Sequence, residues 1–238
     1  NRLLKFVPNL KEFMLYRPNK IANEFLITEL STSLTYLELV DTKFNKLEIR
    51  NLVNLTDFIF YNNTEIESLN LSQNQNLKRI ELHDLNKLLK LKIGSKRQEI
   101  DLLEITSVFH NYRDTEIYIY GKIHNMVLKD CRLENLNVYN SKINYFRLAN
   151  LTLTNTNIKL EILKKLCLSP FKRMSVFAKL ISYLKLDNSS IMIDTSEYEI
   201  ENILEFLPKF KNIELYHVYY KTQNTSPQTQ YIYPKRLI

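Results

Sequence analysis

An apolar pattern that recurs about every eleven residues constrains this chain more than any other feature of its sequence. The pattern, apolar-x-x-apolar-x-apolar, occurs six times in succession, and its starts step by 10, 11, 11, 11 and 11 residues. Within each copy the apolar residues alternate, as in Leu37-x-Leu39 and Leu69-x-Leu71. An eleven-residue period also suits a right-handed helical coil, but a local period of two is typical of β-strands. The sequence therefore predicts short strands in six copies that begin at Leu34, Phe44, Leu55, Ile66, Leu77 and Leu88.

Two consecutive copies would form one coil of about 22 residues with two straight sides. The unit from Ile123, "IHNMVLKDCRL", resembles the leucine-rich repeat family, whose unit reads L-x-x-L-x-L-x-x-N-x-L. Cys131 stands where that family carries Asn or Cys. The resemblance implies a curved α/β solenoid that is strand-rich on both sides in the middle and helix-backed toward the C-terminus. It also implies protein binding through a concave strand face.

Burial explains why the pattern repeats. Inward residues of one coil stack on their counterparts in the next, while a polar ninth residue such as Thr42, Asn63 or Cys131 hydrogen-bonds turn backbone. Leu85 and Leu151 fall at the ninth place of other units, so this polar ladder is expected to be discontinuous. The residues predicted to point inward are Leu37, Leu39, Leu69, Leu71, Ile80, Leu82, Leu128, Leu136 and Leu148.

Beyond about residue 155 the pattern predicts helices on the outer side. "NTNIKLEILKKLCLSP" is interpreted as a helix with Asn157 as N-cap and Pro170 after its end. Ser196 and Glu199 form a capping-box pair for a second helix that Pro208 closes. "ISYLKL" from residue 181 and "FKNIEL" from residue 210 are predicted strands. At the other end, the predicted strand "LKEFML" precedes a short helical piece near "ANEFLITEL".

These elements predict one solenoid domain over residues 1–220. Short repeats of 20–23 residues occupy about 34–155, and longer, helix-containing repeats occupy about 156–220. Residues 221–238 are predicted to be a polar C-terminal tail. Since the sequence opens with Asn1, further chain upstream is expected.

Composition limits which residues can form the turns, but it does not decide whether the protein is intracellular or secreted. Two glycines in 238 residues exclude glycine-dependent phosphate loops, and Asn is expected to supply the left-handed turn residues instead. Cys131 and Cys167 lack the close spacing of a zinc or redox site, which favours free thiols in a reducing, intracellular compartment. Six N-glycosylation sequons favour secretion instead, at Asn54, Asn62, Asn70, Asn150, Asn188 and Asn224.

Residues that could carry catalysis are not brought together by any motif in the sequence. His83, His110, His124 and His217 stand singly, without a second His or a carboxylate at metal-ligand spacing. Nucleophile elbows, phosphate loops and zinc-protease motifs are also absent from the sequence. The chain is therefore predicted to be non-enzymatic, with no cofactor and no metal.

The third, fifth and seventh places of each unit point away from the core and form three columns along the array. These columns are rich in tyrosine, which is rigid, amphipathic and common at protein interfaces. They also change from mainly acidic in the first half to mainly basic in the second, which suits a partner of opposite gradient. The predicted partner-binding residues are Tyr16, Tyr36, Glu38, Asp57, Tyr61, Glu81, Glu104, Lys129, Tyr145, Arg147, Tyr183, Lys185 and Tyr216.

The partner itself remains open between several kinds of protein. One version is a ubiquitin-ligase substrate receptor with an F-box upstream of Asn1, and others are a self-assembling structural protein or a secreted recognition protein. A net charge of +7 and two lysine clusters, at residues 87–97 and 164–179, would also permit a phosphate backbone. Nucleic acid is nevertheless not expected, because no stacking-aromatic motif accompanies the lysines in the sequence. A membrane-spanning segment is not expected either, because no run of eighteen apolar residues occurs.

Overall fold

The chain folds into stacked parallel β-strands. A computed structural model describes residues 9–18, 24–26, 33–108, 115–168, 190–194 and 212–216. The strands of these residues, all paired in parallel, are β1 (Glu12–Tyr16), β2 (Glu24–Leu26), β3 (Tyr36–Val40), β4 (Lys46–Glu48), β5 (Asp57–Tyr61), β6 (Ser68–Asn70), β7 (Arg79–His83), β8 (Lys90–Ile93), β9 (Glu99–Thr106), β10 (Thr115–Lys129), β11 (Arg132–Ala149), β12 (Thr152–Leu168), β13 (Ser190–Asp194) and β14 (Asn212–Tyr216).

The strands form two sides of a flattened coil. The first side runs β1, β3, β5, β7 and β9, and continues through the C-terminal parts of β10, β11 and β12 to β13 and β14. The second side contains β2 paired with β4, then β6 and β8, and the N-terminal parts of β10, β11 and β12. In β10 to β12 a single extended segment passes from the second side to the first. Parallel neighbours on both sides make the described part a β-solenoid.

Strand register confirms the predicted coil length. On the first side Tyr36 pairs with Asp57, Asp57 with Arg79, and Arg79 with Leu102, which are steps of 21, 22 and 23 residues. On the second side Ser68 pairs with Lys90, a step of 22. Two eleven-residue copies therefore make one turn of the coil.

The core consists of columns of apolar side chains that stack from coil to coil. Leu37, Phe58 and Ile80 are register partners along one such column, and each has 0% exposure. Each large apolar side chain buried in this way stabilises the fold by about 1.5–3 kcal/mol relative to exposure. All nine residues predicted to point inward are buried: Leu37, Leu39, Leu69, Leu71, Ile80, Leu82, Leu128, Leu136 and Leu148.

Residues in the left-handed conformation turn the chain at the ends of seven described first-side strands. The residue that follows β1, β3, β5, β7, β9, β10 and β11 has a φ between 43° and 54°. In all of them but Asn150, the backbone amide donates to the carbonyl of the last residue of the next strand on this side, as Asp41 does to Tyr61. Asp and Asn tolerate this conformation best among residues other than glycine, which explains how a glycine-poor chain turns. The seven residues are Arg17, Asp41, Asn62, Asp84, Ser107, Asp130 and Asn150.

Buried polar side chains satisfy the backbone inside the corners. The side-chain nitrogen Nδ2 of Asn63 donates to Thr42 Oγ1 at 3.0 Å. Its side-chain oxygen Oδ1 accepts from the backbone amides of Glu65 and Ile66. Leu85 and Leu151 are buried at the equivalent place of other coils, so the ladder is discontinuous as predicted.

A second ladder lies at the corner where the second side ends, and the sequence pattern does not predict it. Asn74 Nδ2 donates to the carbonyls of Ile49 and Leu52. Gln98 Nε2 donates to the carbonyls of Asn74 and Leu77 one coil later. Each amide side chain thus links its own coil to the preceding one.

The helices expected outside the middle of the chain are not found in the residues that the structure describes. The helix predicted from Asn157 is wrong, because these residues belong to β12 and pair with β11 along nearly its whole length. Residues 24–26, within the helical piece predicted near "ANEFLITEL", form β2. The α/β description therefore has no support in the described part, which is strand on both sides. The second predicted helix, the strand from residue 181 and the tail 221–238 lie outside the described residues, whereas "LKEFML" and "FKNIEL" do contain strands β1 and β14.

Candidate protein-binding surface

The predicted partner-binding residues with described side chains share the outer face of the first side. These ten residues alternate with buried residues along their strands. Tyr183 and Lys185 lie outside the described residues, and Tyr216 lies in β14 opposite Asp194. In register, the three outward columns are Tyr36, Asp57, Arg79, Leu102, Asn125 and Tyr145; Glu38, Ile59, Glu81, Glu104, Val127 and Arg147; and Tyr16, Val40, Tyr61, His83, Thr106 and Lys129.

Tyrosine hydroxyls and a guanidinium hold the carboxylates of this face in place. The Tyr36 hydroxyl donates to Glu38 Oε2 at 2.6 Å within one strand. The Tyr61 hydroxyl donates to Glu81 Oε2 across the gap between adjacent strands. Arg79 Nε donates to the other oxygen, Glu81 Oε1, at 2.6 Å. Both oxygens of Glu81 are therefore engaged, which fixes the orientation of the carboxylate.

The protonation states of this network follow from its contacts. Burial, and then the hydrogen bond to a carboxylate, raise the pKa of Tyr36 and of Tyr61 above the ordinary value, so both hydroxyls remain donors at neutral pH. Burial alone would raise the pKa of Glu81, but the hydrogen bonds from Tyr61 and Arg79 outweigh it and lower the pKa below its usual value of 4.5. Glu81 is therefore ionised at neutral pH.

The centre of the face is packed although it points outward. Ile59 and Glu81 occupy adjacent places in the middle column, and they are only 5% and 7% exposed. An outward residue becomes buried only when its neighbours lean over it, so the surrounding side chains form a continuous layer. Such a layer loses little side-chain entropy on binding, which favours affinity.

His83 extends this layer toward β9. The His83 ring lies edge-on to the Tyr61 ring, with centroids 4.4 Å apart and an interplanar angle of 74°. Its Nε2 atom is buried and makes no hydrogen bond within the described residues, and Glu104 Oε1 lies 3.9 Å away. His83 and Ile59 are not among the residues predicted from the sequence, although they occupy the seventh and fifth places of their units and the same rule would have selected them.

The two ends of the face differ in character. At the β1 end, Met14 is 48% and Tyr16 54% exposed, which makes them the most apolar accessible part of the surface. Toward β11, burial raises the pKa of Tyr145 to about 12, and Arg147 is exposed in the middle column. Lys129 Nζ lies 3.7 Å from Asp130 at the strand end. The predicted change from acidic to basic residues follows the strand order from β3 to β11 except at Arg79; of the other two exceptions in the sequence, Glu214 lies in β14 and Asp187 lies outside the described residues.

The lowered pKa of Glu81 predicts a loss of stability in acid. A carboxyl group whose pKa is lower in the folded state contributes stability that is complete above its unfolded pKa, near 4.5, and is lost as the pH falls through the folded pKa. We expect Glu81→Gln to lower the free energy of unfolding by about 1–3 kcal/mol at neutral pH, because it removes charge-assisted hydrogen bonds. We also expect the variant to lose less stability than the parent between neutral pH and about pH 3. Urea unfolding across this range measures both effects.

The matched control for this prediction is Glu67→Gln, which changes an exposed glutamate next to β6 on the second side. The free energy of unfolding of this variant should fall between neutral pH and about pH 3 in the same way as that of the parent. If the parent and Glu81→Gln lost equal free energies of unfolding over this pH range, the assigned protonation state of Glu81 would be contradicted.

The described residues define a parallel β-solenoid whose first side carries an ordered aromatic and acidic surface. No family model, curated protein or solved structure matches the chain. Among the described residues, no group of three or more His, Cys, Asp or Glu side chains could hold a metal ion. None of the described segments forms a helix long and apolar enough to cross a lipid bilayer.

Proposed function

We propose that this chain is a protein-binding solenoid of the leucine-rich repeat type and that it binds a partner through the outer face of the first side. The observation that carries the proposal is a pair of hydrogen-bonded groups on three adjacent strands, Tyr36 with Glu38 on β3, and Tyr61 of β5 and Arg79 of β7 with Glu81. Binding hot spots are enriched in tyrosine and arginine that are already packed before the partner arrives. The regular strand spacing of the solenoid presents these residues on one extended surface.

The charge of this surface favours a cationic partner segment. On the outer face of β3, β5, β7 and β9 the carboxylates are Glu38, Asp57, Glu81 and Glu104, and the single guanidinium is that of Arg79. Lysine or arginine side chains of a partner would meet both carboxylates and tyrosine ring faces there. Self-association through the basic half of a second copy is the competing possibility.

A selection experiment tests the proposal even though the partner is unidentified. We expect a random-peptide library panned on the immobilised chain to enrich Lys- and Arg-containing peptides. The affinity of an enriched peptide should fall at least about thirtyfold in Tyr36→Ala, because truncating a hot-spot residue costs about 2 kcal/mol or more. Fluorescence anisotropy of the labelled peptide gives the dissociation constants.

Tyr118→Ala is the matched control. Tyr118 is also half-buried and donates its hydroxyl to a glutamate two residues away, Glu116, but it lies on the second side. Peptide affinity should stay within about twofold in this variant, well below the hot-spot threshold. Equal losses in Tyr36→Ala and Tyr118→Ala, or no enrichment of cationic peptides, would contradict the proposal. Sedimentation of the purified chain tests self-association: a monomer at both low and high salt, across micromolar concentrations, leaves a foreign partner, whereas charge-led self-association weakens as salt is added.

A further inference from the structure

A second surface with opposite charge lies where the second side of the coil turns into the first. Tyr120 of β10 and Tyr139 of β11 are register partners at this corner. Their rings are stacked, with centroids 5.4 Å apart and an interplanar angle of 28°. Both residues are half-buried, so part of each remains accessible to solvent. The pair forms a small aromatic platform.

Lysines form a row beside this platform. Lys122 and Lys142 follow the two tyrosines along their strands and are themselves register partners. Adjacent strands are about 4.8 Å apart, so the two side chains leave neighbouring points of the sheet. On the other side of the platform, Lys90 Nζ lies 5.7 Å from the centre of the Tyr118 ring.

The turn between β8 and β9 adds two more cations. Lys96 and Arg97 are exposed in this turn, in which the Gln98 amide donates to the Ser95 carbonyl. The turn packs against Gly121, the residue between Tyr120 and Lys122. A Cβ atom at Gly121 would lie 2.7 Å from the Gln98 carbonyl oxygen and 2.9 Å from that of Ser95. The close contact that glycine allows therefore packs the backbone of the turn that carries both cations against the strand segment between Tyr120 and Lys122.

Two carboxylates of this region are already bound by neighbours. Glu99 accepts from Lys122 at 2.6 Å and contacts His124 at 2.7 Å, and these contacts lower its pKa to about 2. Glu116 accepts from the hydroxyl of Tyr118 and from the amide of Asn135. Asp101 is a third described carboxylate of the region, and its Oδ1 lies 3.9 Å from His124 Nε2. Against these three, the described cations of the corner are Lys90, Lys92, Lys96, Arg97, Lys122 and Lys142. The corner is therefore positively charged around its aromatic platform.

We propose that this corner binds single-stranded nucleic acid. A single strand carries flat bases beside a phosphate backbone, and proteins bind it by stacking bases on aromatic rings next to a positively charged track. The rows of tyrosine and lysine supply these two elements side by side. Duplexes keep their base faces inside the stack, and acidic polysaccharides lack π rings, so either would use only the lysines. This inference concerns a different surface from the proposed protein-binding face and does not depend on it.

The sequence alone argued against nucleic acid because its lysine clusters lack neighbouring aromatic residues. The coil removes that objection, since it brings Lys90 next to Tyr118 and packs the turn that carries Lys96 and Arg97 against Gly121, the residue after Tyr120. Contacts between successive coils, rather than neighbours in the sequence, create the combination.

Binding of a fluorescein-labelled oligothymidylate of twelve nucleotides to the whole chain tests the proposal by anisotropy. We expect saturable binding that weakens steeply with salt. We expect Tyr120→Leu to raise the dissociation constant at least about fivefold and Tyr120→Phe to leave it within about twofold, because phenylalanine retains the stacking face. Thermal unfolding confirms that both variants are folded.

Charge is tested separately by two double variants that each remove two positive charges. Lys96→Ala with Arg97→Ala should weaken oligothymidylate binding and reduce its salt dependence, whereas Lys46→Ala with Arg50→Ala, away from this corner, should do neither. Heparin serves as a polyanion without bases. If Tyr120→Leu weakens both ligands equally or neither of them, or if the oligothymidylate does not bind, the proposal is overturned. If Tyr120→Leu weakens the binding of oligothymidylate but not that of heparin, the proposal is supported.

Discussion

Leu69→Asp is expected to abolish folding of this solenoid. Leu69 lies in β6 opposite Leu91, and the two side chains are 1% and 0% exposed in the core that the coils share. An aspartate there would place an unpaired charge among apolar side chains, where no group can compensate it. The cost exceeds about 4 kcal/mol, a large part of the 5–15 kcal/mol that stabilises a typical domain. Circular dichroism and the yield of soluble protein measure the outcome.

Ser68→Asp is the matched control, because it introduces the same charge one residue earlier on the same strand. Ser68 is exposed, and in a strand successive side chains point to opposite faces. This variant should remain soluble and should unfold close to the temperature of the parent. A folded Leu69→Asp variant, or an unfolded Ser68→Asp variant, would show that the assignment of faces in β6 is wrong.

The sequence predicted the middle of the fold because one local pattern coincides with one physical requirement. Each copy needs two inward apolar residues, and every copy between residues 34 and 93 provides them. Leu69 and Leu82 could therefore be placed in the core from local spacing alone, with no long-range contact to guide the choice. The interruption of the polar ladder at Leu85 was predictable for the same reason, since an apolar residue at the ninth place cannot hydrogen-bond the turn.

The sequence failed at β12, where two periodicities overlap. In "NTNIKLEILKKLCL", Leu160, Leu163 and Cys167 are spaced as on a helix, but Ile158, Leu160 and Ile162 alternate as on a strand. Local propensity does not decide between these patterns, because strand formation depends on a partner that already exists. Here β11 supplies parallel partners for nearly every residue of the segment. The strand result is thus a consequence of tertiary pairing that overrides the helical signal.

The candidate protein-binding face was predictable in membership but not in organisation. Counting places in each unit identified Tyr61 and Glu81 as outward residues. It could not show that the Tyr61 hydroxyl donates to Glu81, because this contact joins residues twenty positions apart on adjacent strands. Nor could it show that Glu81 is buried on an outward face, which depends on how neighbouring side chains lean. Charge and residue type are local properties, whereas the pKa and the exposure of a group are collective ones.

The corner with opposite charge was missed for a related reason. Gly94 and Gly121, the only two glycines of the chain, meet the same corner from adjacent coils. In the sequence glycine is merely scarce, and nothing local marks these two positions. The structure shows what the two residues do: each lets backbone from one coil approach backbone from the other more closely than a side chain would permit. The aromatic platform, which includes Tyr120, therefore depends on residues that carry no chemistry of their own.

Gly94→Ala is accordingly expected to be strongly destabilising. Gly94 has a φ of +78°, and a Cβ atom there would lie 2.1 Å from the carbonyl oxygen of Tyr120, which is backbone and cannot rotate away. Strain at positive φ together with forced displacement of packed backbone should cost about 2–4 kcal/mol. For a chain of this size that lowers the melting temperature by roughly 5–15 °C.

Ser95→Ala, at the next residue, is the control and should melt within about 2 °C of the parent, because it removes only a half-exposed hydroxyl. Differential scanning calorimetry compares the three proteins. If Gly94→Ala melted together with the control, the two coils would have to be further apart at this corner. The stacked tyrosines beside it would then lose the backbone contact that positions them.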